Sequence, residues 1–397
     1  MLGAPDPAPR CAALGDGDLA PHCGPLGLPT AGAPAAPSAE LAQRIAREIE
    51  AAGGWLGFER FMELALYAPG LGYYARAARQ FTSAAASGGD FITAPQISPL
   101  FGRAVARQIG QALAATTTKQ IWEFGAGSGV LAAQLLAALG EQVERYCIVE
   151  LSGALRERQR ATLAERVSEH AGKAVWLDAL PAAIEGVVIG NELLDAMPVA
   201  LLHYDGERWF ERGVTLNGAG FVFADRPTAL RPPVNAAFAP GTTTELARQA
   251  EAFMRTLGQV LARGAAFFID YGFPAHEYYH PQRHGGTLMC HRAHRADTDP
   301  LSDVGDKDIS AHVDFTAVAL AGQDAGLHVL GYCTQARFLM NCGLLGELEP
   351  GDVRASSAAH KLLAEHEMGE LFKVIGFAAG APFDAIGFAH GDRSHTL

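Results

Sequence analysis

The sequence predicts an α/β fold, with a doubly wound, mostly parallel, Rossmann-like sheet, a helical cap before it and an antiparallel β insert within it. The main observation is a series of short apolar runs, the first three separated by stretches rich in Ala, Leu, Arg and Glu. These runs are residues 120–124, 145–151, 174–178 and 186–190. Short apolar runs that alternate with helices are typical of a parallel sheet. The other two observations are a glycine cluster directly after the first run and alternating apolar and polar residues over 199–224.

Residues 1–37 are predicted to be a disordered tail. They are rich in Pro, Ala and Gly and show no apolar periodicity, so they lack the pattern of a packed helix or strand. They also lack a charged start followed by an apolar run, which argues against a secretory signal, and their proline-rich, acidic character fits a transit peptide poorly.

Residues 38–115 are predicted to form a helical cap with a lid loop. The predicted helices run from Ser38 to Gly53, over residues 58–67, and from Pro99 to about Ala115. The string G-G-D-F-I-T-A-P before the last helix is rich in small residues, which suits a lid over a cofactor with Asp90 reaching in. An ordinary Gly-rich linker is the alternative.

Residues 116–397 are predicted to form the main domain, with the β insert at about 199–240. Within the insert, Asp205-Gly206 and Asn217-Gly218 are residue pairs that favour hairpin turns. The sequence then predicts a helix at about 243–263, a strand at 265–272, a His-rich loop at 276–312, a helix from Asp314 to near Gly326, and strands at 327–334 and 383–389.

Composition and charge exclude several classes of function. The chain has 397 residues, of which 49% are hydrophobic and 19% charged, so it can bury a sizeable core. A net charge of -12 argues against nucleic acid or an anionic membrane surface as the main partner. The sequence has no apolar run long enough to cross a membrane. The six cysteines contain no C-x-x-C, which predicts free thiols in a reducing compartment and no zinc site.

The glycine cluster predicts a turn that binds a cofactor. Gly125, Gly127 and Gly129 allow the backbone to turn sharply and to approach a ligand without a Cβ in the way. Glu150 closes the next strand, a position from which an acidic side chain accepts hydrogen bonds from ribose hydroxyls. Glycines that serve packing alone are the alternative.

The spacing of the glycines bears on which cofactor is bound. The dinucleotide fingerprint G-x-G-x-x-G would need glycine at position 130, where Val130 stands. S-adenosylmethionine has no phosphate, and an acid at the strand end, here Glu123, can hold its amino group. The pattern therefore favours S-adenosylmethionine, with a dinucleotide as the alternative. Asp178, at the end of the third strand, is predicted to contact the adenine amine or, alternatively, to cap a helix over A-L-P-A.

The fourth strand ends in the polar residues Asn191, Glu192 and Asp195, within an otherwise apolar stretch. Strand carboxyl ends form the ligand crevice of such sheets, so we expect these side chains to meet the substrate. Methyl transfer requires a nucleophile to be aligned and deprotonated, and carboxylates suit a guanidinium nucleophile. The alternative is that Glu192 or Asp195 caps the next helix or anchors the insert.

The histidines are predicted to be structural or to face the substrate. His276, His280 and His284 recur every four residues, but Pro281 interrupts any helix that would align them. The sequence therefore predicts no metal site. His312 is expected at a helix entry, lining the cleft.

Several strings together resemble one family, the MidA-like S-adenosylmethionine-dependent methyltransferases, which include the mitochondrial complex I assembly factor 7 type of protein arginine methyltransferase. The resemblance runs from about Phe58 to the C-terminus and rests on these strings: Y-A-P-G-L-G-Y-Y, G-D-F-I-T-A-P-Q-I-S-P-L-F-G, E-F-G-A-G-S-G, G-N-E-L-L-D-A-M-P-V, I-D-Y-G-F, H-E-Y-Y-H-P-Q-R-H-G-G-T-L-M-C-H, D-I-S-A-H-V-D-F-T and E-M-G-E-L-F-K-V.

This resemblance implies a class I methyltransferase fold and assigns roles to residues. It implies cofactor contacts at Glu123, Gly125, Gly127, Gly129 and Glu150, and active-site positions at Asp90, Asn191, Glu192 and Asp195. One departure is Gln96, which stands where the family usually has Glu in A-P-E-I-S.

The resulting hypothesis is an S-adenosylmethionine-dependent methyltransferase that symmetrically dimethylates an arginine of a respiratory complex I subunit or a similar protein. The alternatives are a non-catalytic assembly factor that binds a partner subunit, motivated by Gln96, a small-molecule methyltransferase, and a nicotinamide dehydrogenase. The expected location is the cytoplasm for a bacterial protein and the mitochondrial matrix for a eukaryotic one.

Overall fold

The computed structural model describes residues 37–80, 93–218, 220–292 and 295–397. The predicted tail up to residue 36, and the predicted lid loop up to residue 92, which includes Asp90, lie outside these residues. Their predicted roles therefore stay predictions.

The described chain begins with helices, as the apolar periodicity predicts. These first elements are α1 (Pro37–Ala51), the short strand β1 (Leu56–Gly57), α2 (Phe58–Tyr67), α3 (Tyr73–Gln80), α4 (Ala94–Ile97) and α5 (Pro99–Thr116). The predicted apolar face of α1 is fully buried at Leu41, Ile45 and Ile49. Helix α5 begins where the hydroxyl of Ser98 accepts the N–H of Leu100, and its apolar residues pack against the central sheet.

The next elements alternate between strands and helices and then form the insert. The alternating part comprises β2 (Gln120–Phe124), α6 (Val130–Leu139), β3 (Arg145–Val149), α7 (Gly153–Arg166), β4 (Ala174–Leu177) and β5 (Ile184–Asn191). The insert comprises β6 (Ala200–Tyr204), β7 (Trp209–Asn217), β8 (Gly220–Pro227) and β9 (Thr243–Leu246).

The last third of the chain completes the sheet. It comprises α8 (Arg248–Val260), β10 (Leu261–Phe273), α9 (Ala275–Tyr278), β11 (Met289–Arg292), β12 (Arg295–Asp297), β13 (Asp308–Ser310), β14 (Val313–Asp314), α10 (Phe315–Asp324), β15 (His328–Thr334), α11 (Gln335–Asn341), α12 (Val353–Leu363) and β16 (Phe372–Ala379). The predicted His-rich loop thus contains a small three-stranded sheet of β11, β12 and β13.

The central sheet has the strand order β15-β16-β10-β5-β2-β3-β4, and β14 pairs with β10. The strands from β10 to β4 are parallel, whereas β16 runs antiparallel to both of its neighbours. One face of the sheet packs against α5, α6, α7, α11 and α12, and the other against α8 and α10. The predicted α/β, mostly parallel, doubly wound fold is therefore confirmed.

The insert is antiparallel, as the alternation predicts. Its strands follow the order β1-β7-β6-β9, and β8 pairs with β7. Both predicted turn glycines have positive φ, 110° at Gly206 and 61° at Gly218. Leu201 and Val214 of the insert share a hydrophobic core with α1 and α2, so the insert and the helical cap stabilise each other.

One predicted element is wrong, and another begins too early. The predicted helix over 243–263 begins only at Arg248, because the β-branched Thr243 and Thr244 form strand β9 beside β6. The predicted last strand over 383–389 is a turn with a short 3-10 helix, and the true last strand is β16. Strand β16 is buried along its whole length, so it shows an apolar run interrupted only by Lys373 and no alternation of apolar and polar residues.

Candidate active site

The predicted site residues of β2, β3 and β5 lie along one edge of the sheet. Strand β2 is parallel to both β3 and β5, and β5 is parallel to β10, so the carboxyl ends of these strands meet at that edge. In open α/β sheets this edge forms the ligand crevice. The turns after β2 and β5 touch, because a Cβ on Gly125 would lie 3.2 Å from Cδ1 of Leu193.

The turn after β2 requires its glycines. The φ angles of Gly125, Gly127 and Gly129 are 68°, 49° and 79°, a region that side chains disfavour. A Cβ on Gly129 would lie 3.1 Å from Cα of Gln159, so this glycine allows α7 to pack closely. A Cβ on Gly127 would meet no atom within 4 Å, so Gly127 faces open space that a ligand can enter.

The Glu150 side chain is held in place at the end of β3. Its Oε1 accepts the N–H of Ser152 at 2.8 Å, and its Oε2 lies 3.3 Å from Nε2 of Gln159. Burial raises the pKa of Glu150, and these hydrogen bonds oppose the rise. The carboxylate is therefore oriented before any ligand binds.

Gln159 is a positioning residue that the sequence analysis missed. It is fully buried in α7, and its Nε2 also donates to the carbonyl of Gly127 at 3.1 Å. Its Oε1 accepts the indole N–H of Trp176 in β4 at 2.8 Å. One amide group thus connects the glycine turn, Glu150 and β4.

Glu123 lies inside the sheet, with 2% of its surface exposed. Its carboxylate accepts the hydroxyl proton of Tyr146 at 2.8 Å. Burial raises the pKa of Glu123 to about 7, and the hydrogen bond from Tyr146 opposes the rise. The predicted contact with the amino group of a cofactor stays a prediction.

Asp178 is exposed just beyond β4. No helix begins at the A-L-P-A string that follows it, so the alternative of a helix cap is wrong. Two large apolar side chains are also exposed at these strand ends, Leu151 after β3 at 79% and Leu180 after β4 at 39%. Each of them exposes apolar surface at the carboxyl edge of the sheet.

Asn191 ends β5, and Glu192 begins the turn that follows it. Glu192 has a φ of 53°, which is rare for a residue with a side chain and is strained by about 1–3 kcal/mol. Nδ2 of Asn191 donates to Oε1 of Glu192 at 3.0 Å. Burial, followed by the negative charge of Asp195, raises the pKa of Glu192 to about 8.

Asp195 lies in the same turn and is 7% exposed. Its Oδ2 lies 2.5 Å from the hydroxyl of Tyr271, whereas its buried Oδ1 has no hydrogen-bond partner among the described residues. Burial raises the pKa of Asp195 to about 6, and the bond from Tyr271 opposes the rise. No helix begins at Glu192 or Asp195, so the alternative of a helix cap is wrong.

Asp270, three residues before the end of β10, was not singled out by the sequence analysis. It is 1% exposed, and its Oδ2 accepts the backbone N–H groups of Leu193, Leu194 and Asp195 at 3.1, 2.8 and 3.3 Å. Burial, followed by the charge of Asp195, raises the pKa of Asp270. This side chain therefore holds the whole turn after β5.

The helical cap reaches the same site through two tyrosines. The hydroxyl of Tyr67 donates to the carbonyl of Ala196 at 2.8 Å, and that of Tyr74 donates to Oδ1 of Asp308 at 2.9 Å. The two rings stack with centroids 5.5 Å apart. Tyr67 is nevertheless 42% exposed, so it presents an aromatic surface beside the Asp195 turn.

Gln96, the departure from the family pattern, has a structural role. Its Oε1 accepts the N–H of Thr93 at 3.2 Å in a capping box at the start of α4. Its Nε2 lies 3.4 Å from Oγ of Ser128 in the glycine turn. Glu and Gln serve equally in a capping box, so the substitution preserves this function.

His312 lies at the entry to α10, packed between the rings of Tyr271 and Phe273. Burial, followed by the charges of Arg283 and Lys373, lowers its pKa to about 4. Among the residues that the structure describes, no three His, Cys, Asp or Glu side chains are grouped as metal ligands. Within the same residues, no helix is both long and apolar enough to cross a membrane.

The fold and the site together define a class of protein. An open parallel sheet with a glycine turn on one strand and an oriented acid on the next binds a nucleoside-type cofactor at its carboxyl edge. The strained turn after β5 adds carboxylates beside that position, where a second substrate can meet the cofactor.

Comparison with known proteins specifies the class further. The model of a family described as "Putative S-adenosyl-L-methionine-dependent methyltransferase" matches residues 103–333, more than half of the chain, so the protein belongs to this family. It is an S-adenosyl-L-methionine-dependent methyltransferase, and S-adenosyl-L-methionine is its cofactor. This confirms the predicted enzyme class and cofactor and decides against the nicotinamide dehydrogenase.

Solved and curated relatives agree with this assignment. A Burkholderia thailandensis protein crystallised with S-adenosyl-homocysteine is 49% identical, covers 94% of this chain and 100% of its own, and gives a TM-score of 0.86. The mitochondrial protein arginine methyltransferase NDUFAF7 of Danio rerio is 26% identical over 81% of this chain and 83% of its own. The Caenorhabditis elegans NDUFAF7 homolog, of the same description, is 26% identical over 72% of each chain.

Proposed function

We propose that this methyltransferase symmetrically dimethylates an arginine side chain of a respiratory complex I subunit or a similar protein. The observation that carries the proposal is the carboxylate pair Glu192 and Asp195 on one turn, with Oδ1 of Asp195 buried and lacking a donor among the described residues. A guanidinium supplies planar N–H donors that match carboxylate oxygens. The names of the curated relatives, protein arginine methyltransferases, support the same acceptor.

The aromatic surface beside the turn supports a cationic acceptor. Tyr67 is 42% exposed although its hydroxyl is bonded to the carbonyl of Ala196 and its ring stacks against Tyr74. The face of an aromatic ring attracts a guanidinium and leaves its N–H groups free to bond in the plane. In the proposal, Tyr67 covers one face of the acceptor while Asp195 binds its edge.

The residues at the edge of the sheet suit the cofactor. Open space in front of Gly127 gives its backbone access to the ligand, and Glu150 is oriented to accept ribose hydroxyls. The proposed cofactor-binding residues are Glu123, Gly125, Gly127, Gly129, Glu150 and Asp178, with Leu151 and Leu180 beside the adenine. When bound, S-adenosyl-L-methionine supplies an electrophilic methyl group.

Asp195 and Glu192 have different roles in binding the methyl acceptor. With pKa values of about 6 and about 8, Asp195 is mostly ionised near neutral pH while Glu192 keeps its proton more readily. Asp195 therefore accepts N–H groups of the guanidinium, orients one nitrogen toward the methyl position and accepts the proton that this nitrogen loses. Glu192 and Asn191 hold the other side of the planar group.

The experiment has two stages. Isothermal titration with S-adenosyl-homocysteine first establishes that the purified protein is competent to bind. A complex I preparation is then incubated with the protein and methyl-deuterated S-adenosyl-L-methionine, and the arginines are analysed by mass spectrometry. Labelled dimethyl-arginine supports the proposal. A competent protein that labels only a small molecule, or nothing, overturns it.

The same experiment separates the assembly-factor alternative from the enzyme. That alternative is motivated by Gln96, but this side chain caps α4 and contacts Ser128 as part of the local fold. A Gln96→Glu variant restores the family residue. We expect it to label arginine within about twofold of the original protein, since the capping box is retained.

A further inference from the structure

Strand β10, which is not part of the turn that carries Glu192 and Asp195, holds this turn through hydrogen bonds. Oδ2 of Asp270 accepts the N–H groups of Leu193, Leu194 and Asp195. A carboxylate that accepts several backbone N–H groups defines the position of the loop that donates them, because every lost bond would leave a buried donor unsatisfied. The turn contains the strained φ of Glu192, so without this anchor it would relax.

Strand β10 also holds Asp195 through Tyr271, the residue that follows Asp270 in the chain. The hydroxyl of Tyr271 lies 2.5 Å from Oδ2 of Asp195 and 2.8 Å from Oγ of the buried Ser310. A phenol has one proton, so Tyr271 donates to the carboxylate and can accept from the serine. One oxygen of Asp195 is thus engaged, and the other, Oδ1, has no partner among the described residues.

We propose that Asp270 and Tyr271 are positioning residues for methyl transfer, which together hold Asp195 so that its unpaired oxygen, Oδ1, is left for the methyl acceptor. The proposal rests on the function proposed above. Asp270 places the backbone of the turn, and Tyr271 selects which carboxylate oxygen is engaged. Neither side chain needs to touch the acceptor or the cofactor.

The titratable groups around Asp195 determine how Tyr271 affects the ionisation of the Asp195 carboxyl group. Titratable groups face Asp195 from the turn, from β10 and from the cap: Glu192, Asp270, Tyr271, Tyr67 and Tyr74. The tyrosines are neutral, so Tyr271 is the side-chain donor that most favours the ionised form, with smaller help from the backbone N–H groups of Ala196 and Asp195. Glu192 and Asp270 oppose ionisation when they are charged. Removing the Tyr271 hydroxyl therefore raises the pH at which Asp195 loses its proton.

The test compares Tyr271→Phe with Tyr278→Phe. Tyr278 is also a buried tyrosine whose hydroxyl lies 3.1 Å from a carboxylate, Oε2 of Glu245, so its variant loses a similar bond elsewhere. We expect Tyr271→Phe to lower kcat about tenfold and to move the acid limb of the pH–rate profile up by about one pH unit. Tyr278→Phe should leave that limb in place, even if both variants lose thermal stability.

Asp270→Asn supplies a readout that does not depend on turnover. The amide keeps an acceptor oxygen but loses the charge, so we expect hydrogen exchange of the peptide over residues 190–197 to accelerate about tenfold or more. The affinity for S-adenosyl-homocysteine should change less than about twofold, because cofactor contacts lie on other strands. Unchanged exchange in this peptide overturns the role of Asp270.

The outcomes distinguish the two proposals. An original protein that binds S-adenosyl-homocysteine but methylates no arginine overturns the proposed function. An active original protein whose Tyr271→Phe variant keeps the same acid limb overturns the positioning role of Tyr271. A loss of activity in Tyr271→Phe that accompanies unfolding, with the acid limb of the remaining folded enzyme unmoved, overturns it as well.

Discussion

Nε2 of Gln159 lies 3.3 Å from Oε2 of Glu150, and the same nitrogen lies 3.1 Å from the carbonyl oxygen of Gly127. The glutamine is fully buried, so these contacts are shielded from water. The two parts of the predicted cofactor site therefore share one support. Through Gln159, helix α7 supports the predicted cofactor site as well as forming a layer of the fold.

Replacing Gln159 with Leu should weaken cofactor binding. The change removes both donor contacts and leaves the carbonyl of Gly127 and the indole of Trp176 without their partner, so we expect about tenfold or lower affinity for S-adenosyl-homocysteine. Gln108→Leu is the control, because Gln108 is also fully buried and hydrogen-bonded, but to Gln111 and Gly387. Both variants should lose stability. Equal affinity losses in the two would contradict the role of Gln159.

Replacing Gly127 with Ala tests the open space at the glycine turn. Gly127 and Gly218 both have positive φ, and a Cβ on either would meet nothing within 4 Å. Alanine should therefore destabilise both sites by a similar amount, about 1 kcal/mol, as measured by urea unfolding. We expect only Gly127→Ala to reduce the affinity for S-adenosyl-homocysteine, by about tenfold or more, since its methyl group enters the proposed cofactor space. Titration calorimetry of both variants checks this, and unaltered binding by Gly127→Ala would place the cofactor elsewhere.

The site residues that were predicted from sequence share a property. Each of them is recognisable from the few residues next to it in the chain. The glycine turn follows a strand directly, and Glu150 and Asn191 end strands that their own apolar runs reveal. In a parallel sheet the carboxyl ends of neighbouring strands lie at the same edge, so these residues come together regardless of the conformation of the loops.

The supporting residues could not be predicted in the same way. Gln159 is a polar residue in a helix rich in Arg and Glu, and only packing turns it inward. Asp270 and Tyr67 reach the turn after β5 from elements far away in the chain. The motif strings around them, I-D-Y-G-F and Y-A-P-G-L-G-Y-Y, were the available signal. They mark the segments but do not reveal which side chain contacts which turn.

Glu123 should make the stability of the cofactor-free protein depend on pH. The folded protein keeps the proton up to about pH 7, whereas the unfolded chain loses it near pH ~4.3. A raised carboxyl pKa contributes stability that is fully present below the unfolded value and lost as pH rises through the folded value. We therefore expect the contribution of Glu123 to the free energy of unfolding to fall by about 3 kcal/mol between those limits.

Urea unfolding at pH 5 and pH 9 measures this effect. Glu123→Gln cannot ionise, so its stability relative to the original protein should rise with pH. Glu144→Gln is the control, because Glu144 is exposed and pairs with Lys119 at the surface. Its relative stability should change by less than about 1 kcal/mol over the same range. A Glu123→Gln variant that follows the control would show that the carboxylate ionises freely in the folded state.

Asp195→Asn tests the acceptor side of the site. The amide cannot accept the proton released from the arginine nitrogen, so we expect kcat for arginine methylation to fall about 100-fold or more. The affinity for S-adenosyl-homocysteine should stay within about twofold, because Asp195 belongs to the turn after β5 and not to the cofactor strands. In the original protein the rate should rise with pH through about 6, the pKa of Asp195, because the ionised form is the active one.

Asp314→Asn provides the matched control for this last prediction. Asp314 is 1% exposed, and burial raises its pKa to about 6, but its carboxylate caps α10 by accepting the N–H of Ala317. Asn is an equally good cap, so this variant should fold and keep its kcat within about threefold. Its pH–rate profile should retain the rise near pH 6, since Asp195 is intact. Comparable losses of kcat in both variants would mean that a general effect of buried charge, and not a proton acceptor at Asp195, accounts for the rate.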